Sequence, residues 1–310
     1  MIQGVLWTKA ACAVVLVVAF CTSGCSKTAE DSASDGAHDT HSTAAPAAPG
    51  VEAARSEADP VAPLEAAIAG SVRSPEDRAR DVYRHPLETL TFFGIKPDMT
   101  VVELWPFGGW YTEILAPYLR ENGKLYDAAM DPDSANKEDQ EYNAEFRALL
   151  DAHPEIFDKV VVTALGPGKY DIAPAGTADM VLTFRNIHNW AWAGMEKDVF
   201  AATFKALKPG GILGVVEHRS DDPNFEPRKP GDGYVGPAWA RQMIESVGFE
   251  FVAESDINRN PADTKDYPMS VWTLPPFYAL GDKDRAKYTA IGESDRFTMK
   301  FKKPAEPAGK

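Results

Sequence analysis

Downstream of residue 25 the sequence has no cysteine, because the three it contains are Cys12, Cys21 and Cys25. That absence excludes a disulfide framework or a cysteine-ligated zinc site from anything that folds beyond it. Positive charge is also scarce, with 32 Lys and Arg against 46 Asp and Glu, a net charge of −14 and a pI of about 4.9. Nucleic-acid binding depends on clustered Lys and Arg that displace counterions, so nucleic acid is excluded as a partner. No apolar run reaches the ~20 residues of a membrane-spanning helix, and internal repeats are lacking. From Ser26 to Pro63 there is no aromatic residue. That stretch is rich in Ala, Ser, Asp and Pro, buries too little apolar surface to offset its chain entropy, and reads as a flexible tether over residues 26–63.

What the amino terminus does contain is one Lys at position 9, an apolar run from Ala10 to Cys21, and Thr22, Ser23 and Gly24 before Cys25. The run fits the core of an export signal. Small residues followed by Cys resemble a bacterial lipobox, with Thr22 where Leu is usual. The resemblance implies cleavage before Cys25 and acylation of its thiol, so that the only membrane contact is an N-terminal lipid anchor. Ser26 after the Cys favours the outer membrane by the same rule. An ordinary signal peptide is the other reading, and both make the protein exported, as a periplasmic or outer-membrane lipoprotein or a soluble counterpart.

The remainder has an ordinary globular composition, 44% hydrophobic and 25% charged over the whole chain. Order is expected near Leu64. Ser74, Pro75 and Asp77 have the chemistry of a helix start, and Gly94 that of its stop. Strand candidates then fall at Thr100–Leu104, Lys124–Met130, Lys159–Thr163, Asp179–Phe184 and Gly211–Glu217. Helical patterns lie between most of them, at Trp110–Arg120, Lys137–Leu150 and Met195–Leu207. Apolar strands separated by helices of that length predict parallel pairing with helices on both faces, a doubly wound α/β sheet. A helix at Pro237–Val247 and strands from Gly248 and around Phe297 to Phe301 close the domain, residues 64–304, before a short tail at 305–310. An aromatic-bearing insertion at about 257–292 is too long for a hairpin turn; it is either a packed excursion or a cover over a site.

The chemistry is expected at "VVELWPFGGWYTEIL", Val101 to Leu115, where a strand ends in Glu103 and a turn with Gly108 and Gly109 leads into an amphipathic helix. In open α/β sheets ligands bind beyond the carboxyl ends of the strands, and bare backbone lets them approach. Asp131 ends the second strand 22 residues after Gly109, the spacing of an acid that takes both hydroxyls of a ribose. No G-x-G-x-x-G follows any strand, which sets aside a nicotinamide-dependent dehydrogenase.

Together, "TVVELWPFGGWYTEILAPYL", "ADMVLTFRNIHNW", "LKPGGILGVVEHR" and "GYVGPAWARQMIESVGF" resemble the exported members of the class I S-adenosylmethionine-dependent methyltransferase superfamily, over roughly Arg78 to Pro304. The resemblance implies a Rossmann-like, mostly parallel seven-stranded sheet with a last antiparallel strand, and S-adenosylmethionine as cofactor. Glu103, Gly108, Gly109 and Asp131 are then its binding residues, with Tyr111 as an aromatic neighbour of the sulfonium. The usual turn, acidic-x-G-x-G-x-G, here reads Trp105, Phe107 and Gly109 at its glycine positions. Phe107 can fill the space of the cofactor's methionine part or form one wall of it.

After the fourth strand, Arg185, Asn186 and His188 are the candidate catalytic residues, with His188 as a general base. Asn189 is an equal candidate for loop hydrogen bonding, and Trp190 for core packing. Glu217 and His218 reach the same edge. With His188 they could in principle hold a metal, but no tight ligand spacing supports it, so no metal is expected and a Glu217–Arg219 ion pair is the plainer account. Two functions follow: methyl transfer to a small molecule or cell-envelope component, or a non-catalytic exported lipoprotein that uses the same crevice to bind a ligand or partner. Synthesis of S-adenosylmethionine in the cytoplasm weighs toward the second.

Overall fold

Strands rich in Val, Leu and Ala need both faces covered, and the chain supplies helices for each face in turn. The computed structural model describes residues 61–222, 225–227 and 232–305. Cys25, the export signal, residues 26–60 of the tether and residues 306–310 of the tail lie outside the described residues.

The first described element is helix α1 (Val61–Ile68), so helix begins within the stretch expected to be tether. Ser74 caps α2 (Pro75–Arg78), its hydroxyl accepting from the Asp77 N–H at 3.0 Å. A single helix from Ser74 to Gly94 does not form. His85 takes a left-handed conformation before Pro86, because a residue preceding proline is pushed out of the helical region. The segment therefore divides into α2, α3 (Asp81–Arg84) and α4 (Pro86–Phe93), and Gly94 closes α4 at φ 86°.

From there β1 (Thr100–Leu104), α5 (Thr112–Leu119), β2 (Lys124–Met130), α6 (Lys137–Ala152), α7 (Pro154–Phe157) and β3 (Val161–Leu165) follow in alternation. Next come β4 (Ala178–Phe184), α8 (Ile187–Ala193), α9 (Glu196–Ala206), β5 (Leu207–His218), α10 (Pro237–Ser246) and β6 (Glu250–Ser255). The insertion holds a 3-10 turn (Ser270–Thr273) and α11 (Arg285–Ile291) before β7 (Arg296–Lys302).

The sheet order is β3-β2-β1-β4-β5-β7-β6. Strands β1 to β5 pair in parallel, and β7 runs antiparallel between β5 and β6. This is the doubly wound, mostly parallel seven-stranded sheet with an antiparallel last strand that the alternation and the resemblance led us to expect. One face buries Leu64, Phe93, Ile114 and Leu115 against Val101 and Leu182; the other buries Trp190, Phe200 and Ile244 against Val102, Val181 and Val215. The strand order reverses between β1 and β4, whose carboxyl ends face the turn after β1 and helix α8. Among the described residues no helix is long and apolar enough to cross a membrane.

Gly214 in central strand β5 lets α4 lie close: a Cβ there would meet Phe93 and Leu182 side-chain atoms at 2.7 Å. Gly214→Ala is expected to destabilise the domain by about 1–3 kcal/mol through overpacking, read as a lower urea midpoint.

Candidate functional site

The turn after β1 keeps a glycine-type backbone although two of its residues are aromatic. Trp105, Phe107 and Gly109, at the three usual glycine positions, have φ of 46°, 51° and 83°. Positive φ costs a bulky L-residue about 1–3 kcal/mol, which only surrounding contacts can offset. The Trp105 indole N–H donates to the Leu165 carbonyl at 2.9 Å, and its ring packs edge-on against Trp190. Because β2 lies between β1 and β3, the indole spans the carboxyl ends of all three strands. Phe107 turns toward α6 and packs on Tyr142 with ring centroids 4.8 Å apart. It lines a small crevice with Met130, Asn143 and Phe146.

Gly108 and Gly109 differ in what they accommodate. A Cβ on Gly109 would collide with Leu149 of α6, so that glycine serves helix packing. On Gly108 the nearest atom would be Glu145 Oε1 at 3.5 Å, an ordinary contact.

Two acids lie side by side beneath this turn. Glu103 and Asp127 are register partners on β1 and β2, and both are buried. Thr112, in the first turn of α5, donates to Glu103 Oε2 at 3.0 Å. Burial pushes the Glu103 carboxyl up to about 8, against smaller opposing effects of the Thr112 hydroxyl and the Arg84 charge. Burial, reinforced by Glu103, also raises Asp127 well above the carboxylate range. Asp131, at the end of β2, differs: Lys169 Nζ sits 2.6 Å from its Oδ1, and the Asp133 N–H donates to the same oxygen. Lys169 holds the Asp131 carboxyl below its ordinary range.

The β4 and β5 ends form a second polar group. Asn186 is buried and donates from Nδ2 to the Leu104 carbonyl at 2.8 Å, tying this edge to β1. Arg185 has φ 66° and keeps 21% of its side chain accessible. Its nearest carboxylate is Glu293, 3.9 Å away. The segment from Ile187, read from sequence as a strand-end loop, forms helix α8, and Glu217 caps it. Glu217 Oε2 accepts from the Ile187 N–H at 2.6 Å, and Oε1 accepts from the His218 N–H at 2.8 Å.

His188 Nδ1 lies 3.1 Å from Glu217 Oε1. A carboxylate only accepts, so Nδ1 carries a proton and donates it to Glu217. Nε2 is buried and has no hydrogen-bond partner. Glu217 thus orients His188 and does not pair with Arg219, which engages Glu254 at 3.2 Å and Asp295 at 3.7 Å. His218 Nδ1 meets Ser294 Oγ at 2.5 Å, and burial with the nearby His188 and Arg185 charges holds its imidazole well below the usual range.

Trp272 from the insertion covers both imidazoles, its ring 5.5 Å from His188 and 6.3 Å from His218. The insertion is therefore a wall of this group. Tyr111 is stacked on Phe184 at 3.5 Å, so its ring belongs to the packing beneath the site, as does the fully buried Trp190.

His188, Glu217 and His218 bring ligand-type atoms within 4.8 Å of one another. Glu217 already accepts backbone N–H bonds on both oxygens, and Arg185 and Arg296 lie close enough to depress His218. This chemistry suits a positioned imidazole better than a divalent cation.

Sequence reasoning did not single out Asp127, Lys169, Trp272, Glu293 or Arg296. Asp127 was detectable as a charge inside an otherwise apolar central strand. Glu293 was not, since its partners Arg80 and Arg84 lie 213 and 209 residues away in sequence.

The strand order is that of the Rossmann-like methyltransferase fold. No protein-family model matches the chain. It is 34% identical over 112 residues to a sterol 24-C-methyltransferase of Debaryomyces hansenii, covering 28% of each chain. The chain thus spans little more than a quarter of that relative's length. Among solved structures it is similar to a SAM-dependent methyltransferase from Aquifex aeolicus, with 15% identity, 78% of this chain and 98% of that one covered, and a TM-score of 0.49. A fibrillarin from Aeropyrum pernix with natively bound S-adenosyl-L-methionine shares 13% identity over 71% of this chain and 76% of that one, with a TM-score of 0.41.

The raised Glu103 carboxyl has a definite sign in stability. The unfolded chain releases this proton near pH 4.5, whereas the fold holds it to about pH 8. Its contribution is therefore full below pH 4.5 and is lost as pH rises toward 8. Glu103→Gln is expected to flatten that slope. Its melting temperature, relative to the parent, should rise between pH 5 and pH 8 by at least about 2–4 °C, the shift 1 kcal/mol produces in a domain this large. A parallel pH dependence of the two proteins would refute the buried-acid assignment.

Proposed function

We propose that this protein is an exported S-adenosylmethionine-dependent methyltransferase that acts on a small molecule or cell-envelope component and is tethered by a lipid on Cys25. The observation that carries this reading is the turn after β1. It retains positive φ at all three glycine-type positions of the methyltransferase pattern even where the side chains are Trp and Phe. Glu103, Gly108, Gly109 and Asp131 would hold the cofactor, with Tyr111 as a packed floor. Asp131 would face the ribose once Lys169 yields it, Glu103 would meet the amine only after losing its proton, and an adenine can lie over the strand ends once the Trp105 indole moves aside.

The cofactor supplies an already activated methyl group on a positively charged sulfur. What remains for the protein is alignment of the acceptor and removal of its proton. Glu217 fixes the His188 tautomer, so that Nε2 is available to take that proton. Asn186 holds the His188 segment against the end of β1, and Arg185 orients the acceptor.

A second reading, a non-catalytic lipoprotein that binds a ligand or partner in the crevice, is favoured by a specific pair of contacts. Trp105 is tied to Leu165, and Asp131 is already neutralised by Lys169.

Calorimetric titration with S-adenosylmethionine separates the two. Micromolar binding that weakens at least tenfold in Asp131→Ala is the expected result. Trp105→Ala should tighten it by about tenfold, since the binding-competent state no longer requires displacing the indole. No heat from either protein at high concentration would leave the binder as the function.

A further inference from the structure

Behind the polar edge lies a concentration of positive charge of which the reading above uses only Arg185. Four guanidiniums converge on one carboxylate, Glu293, which is buried at the start of β7. Arg80 reaches its Oε1 at 2.7 Å, and Arg84 reaches its Oε2 at 3.2 Å. Arg296 bonds the same Oε2, and Arg185 stands 3.9 Å from it. Asp77, 3.9 Å from Arg80, is the other carboxylate in range. Four positive charges therefore share two carboxylates among the described residues, an excess of two. Glu103, the acid beside Arg84, does not supply one, because burial keeps it protonated up to about pH 8.

The excess charge is localised. Arg296 is satisfied, donating also to the Tyr83 carbonyl at 3.1 Å and to Ser294 Oγ at 3.3 Å. Arg84 is 3% exposed and lies over the Trp110 ring at 4.5 Å, and its Nη1 has no hydrogen-bond acceptor among the described residues. Among the described residues the Arg185 side chain has only the long contact to Glu293, and it alone of the group combines a partly accessible side chain with a left-handed backbone. A non-glycine residue is kept in that conformation where its side chain must be presented at a set place. Holding incompletely compensated guanidiniums side by side is costly, and an incoming anion reduces that cost through charge-assisted hydrogen bonds. Burial of the larger part of its side chain and the neighbouring guanidiniums hold Arg185 well below the usual range, against the opposing charge of Glu293.

We propose that Arg185 and Arg84 form an anion-binding site at the β4 end, which takes a carboxylate or phosphate group of the molecule that this protein acts on. The site lies on the same strand-end edge as His188 and the wall made by Trp272, so a ligand anchored by its anionic group would extend toward the imidazole. Assigning that ligand as the methyl acceptor rests on the methyl-transfer reading; the anion site itself does not.

The test uses the purified full-length protein, inorganic phosphate as probe, and sodium chloride at matched ionic strength as control. Phosphate at millimolar concentration is expected to raise the melting temperature by about 2–4 °C and chloride not to, as follows for a ligand that binds the fold alone. Arg185→Gln should lower phosphate affinity at least tenfold while melting no lower than the parent in chloride, since it removes a repelling charge; Arg185→Lys should retain part of the affinity. Equal effects of phosphate and chloride, or undiminished phosphate binding in Arg185→Gln, would overturn the proposal.

Titration of phosphate in saturating S-adenosylhomocysteine divides the two sources of such an anion. Unchanged affinity assigns the site to a separate ligand. Loss of phosphate binding in proportion to the nucleoside would assign it to the cofactor's own carboxylate and overturn the proposal. If S-adenosylhomocysteine does not bind but phosphate does, the anion site stands and the methyl-transfer reading falls.

Discussion

Glu293 is the constraint from which the geometry of the site follows. It is one buried carboxylate reached by guanidiniums from the start and end of α3, from the turn after β4 and from β7. These elements are far apart in the chain: the helices precede the first strand of the sheet and β7 is its last. A buried, multiply bonded ion pair is poor evidence of net stability, but it is demanding about geometry, because removing any partner leaves a charge uncompensated. Glu293 therefore fixes the amino-terminal helices over the carboxyl edge of the sheet and sets where Arg84 and Arg185 are held.

The turn after β1 illustrates how a backbone conformation can outlast the residues that usually specify it. Glycine is common at such positions because it enters positive φ without cost. Trp105 and Phe107 enter it here because their rings are held elsewhere, by Leu165 and Trp190 in one case and Tyr142 in the other. The same contacts narrow the crevice, so the forces that preserve the turn compete with occupation of the strand ends by a ligand. Phe107 turns to α6 and packs on Tyr142, and Trp105 is the ring that crosses the strand ends.

Much of the fold was legible because it depends on local pattern. Strands β1 and β2 fall where their apolar runs predict, and α6, α9 and α10 agree with their periodicity to within a residue or two. The misreadings are equally local. The expected helix from Ser74 to Gly94 is interrupted at His85, where Pro86 outweighs an otherwise helical pattern. Helix α8 escaped notice because its polar residues suggested a loop, whereas their bonds run to Glu217, some 30 residues away.

The candidate site was legible in part. His188, Arg185 and Asn186 were identified as a polar cluster at a strand end, and Glu103 and Asp131 as acids at strand ends, since position along a strand is a local property. Their partners were not. That Glu217 orients His188, Lys169 neutralises Asp131, and Trp272 covers the imidazoles depends on which strands become neighbours and on where the insertion packs.

The amino-acid sequence by itself determined the element order, the two-sided burial of the sheet and the exclusion of cysteine and polycationic chemistry, because periodicity and composition act over a few residues. Only the tertiary structure decided which charges are compensated and which are left over. The Coulomb and desolvation terms that govern this depend on separations of 3–4 Å between groups up to 213 residues apart in the chain.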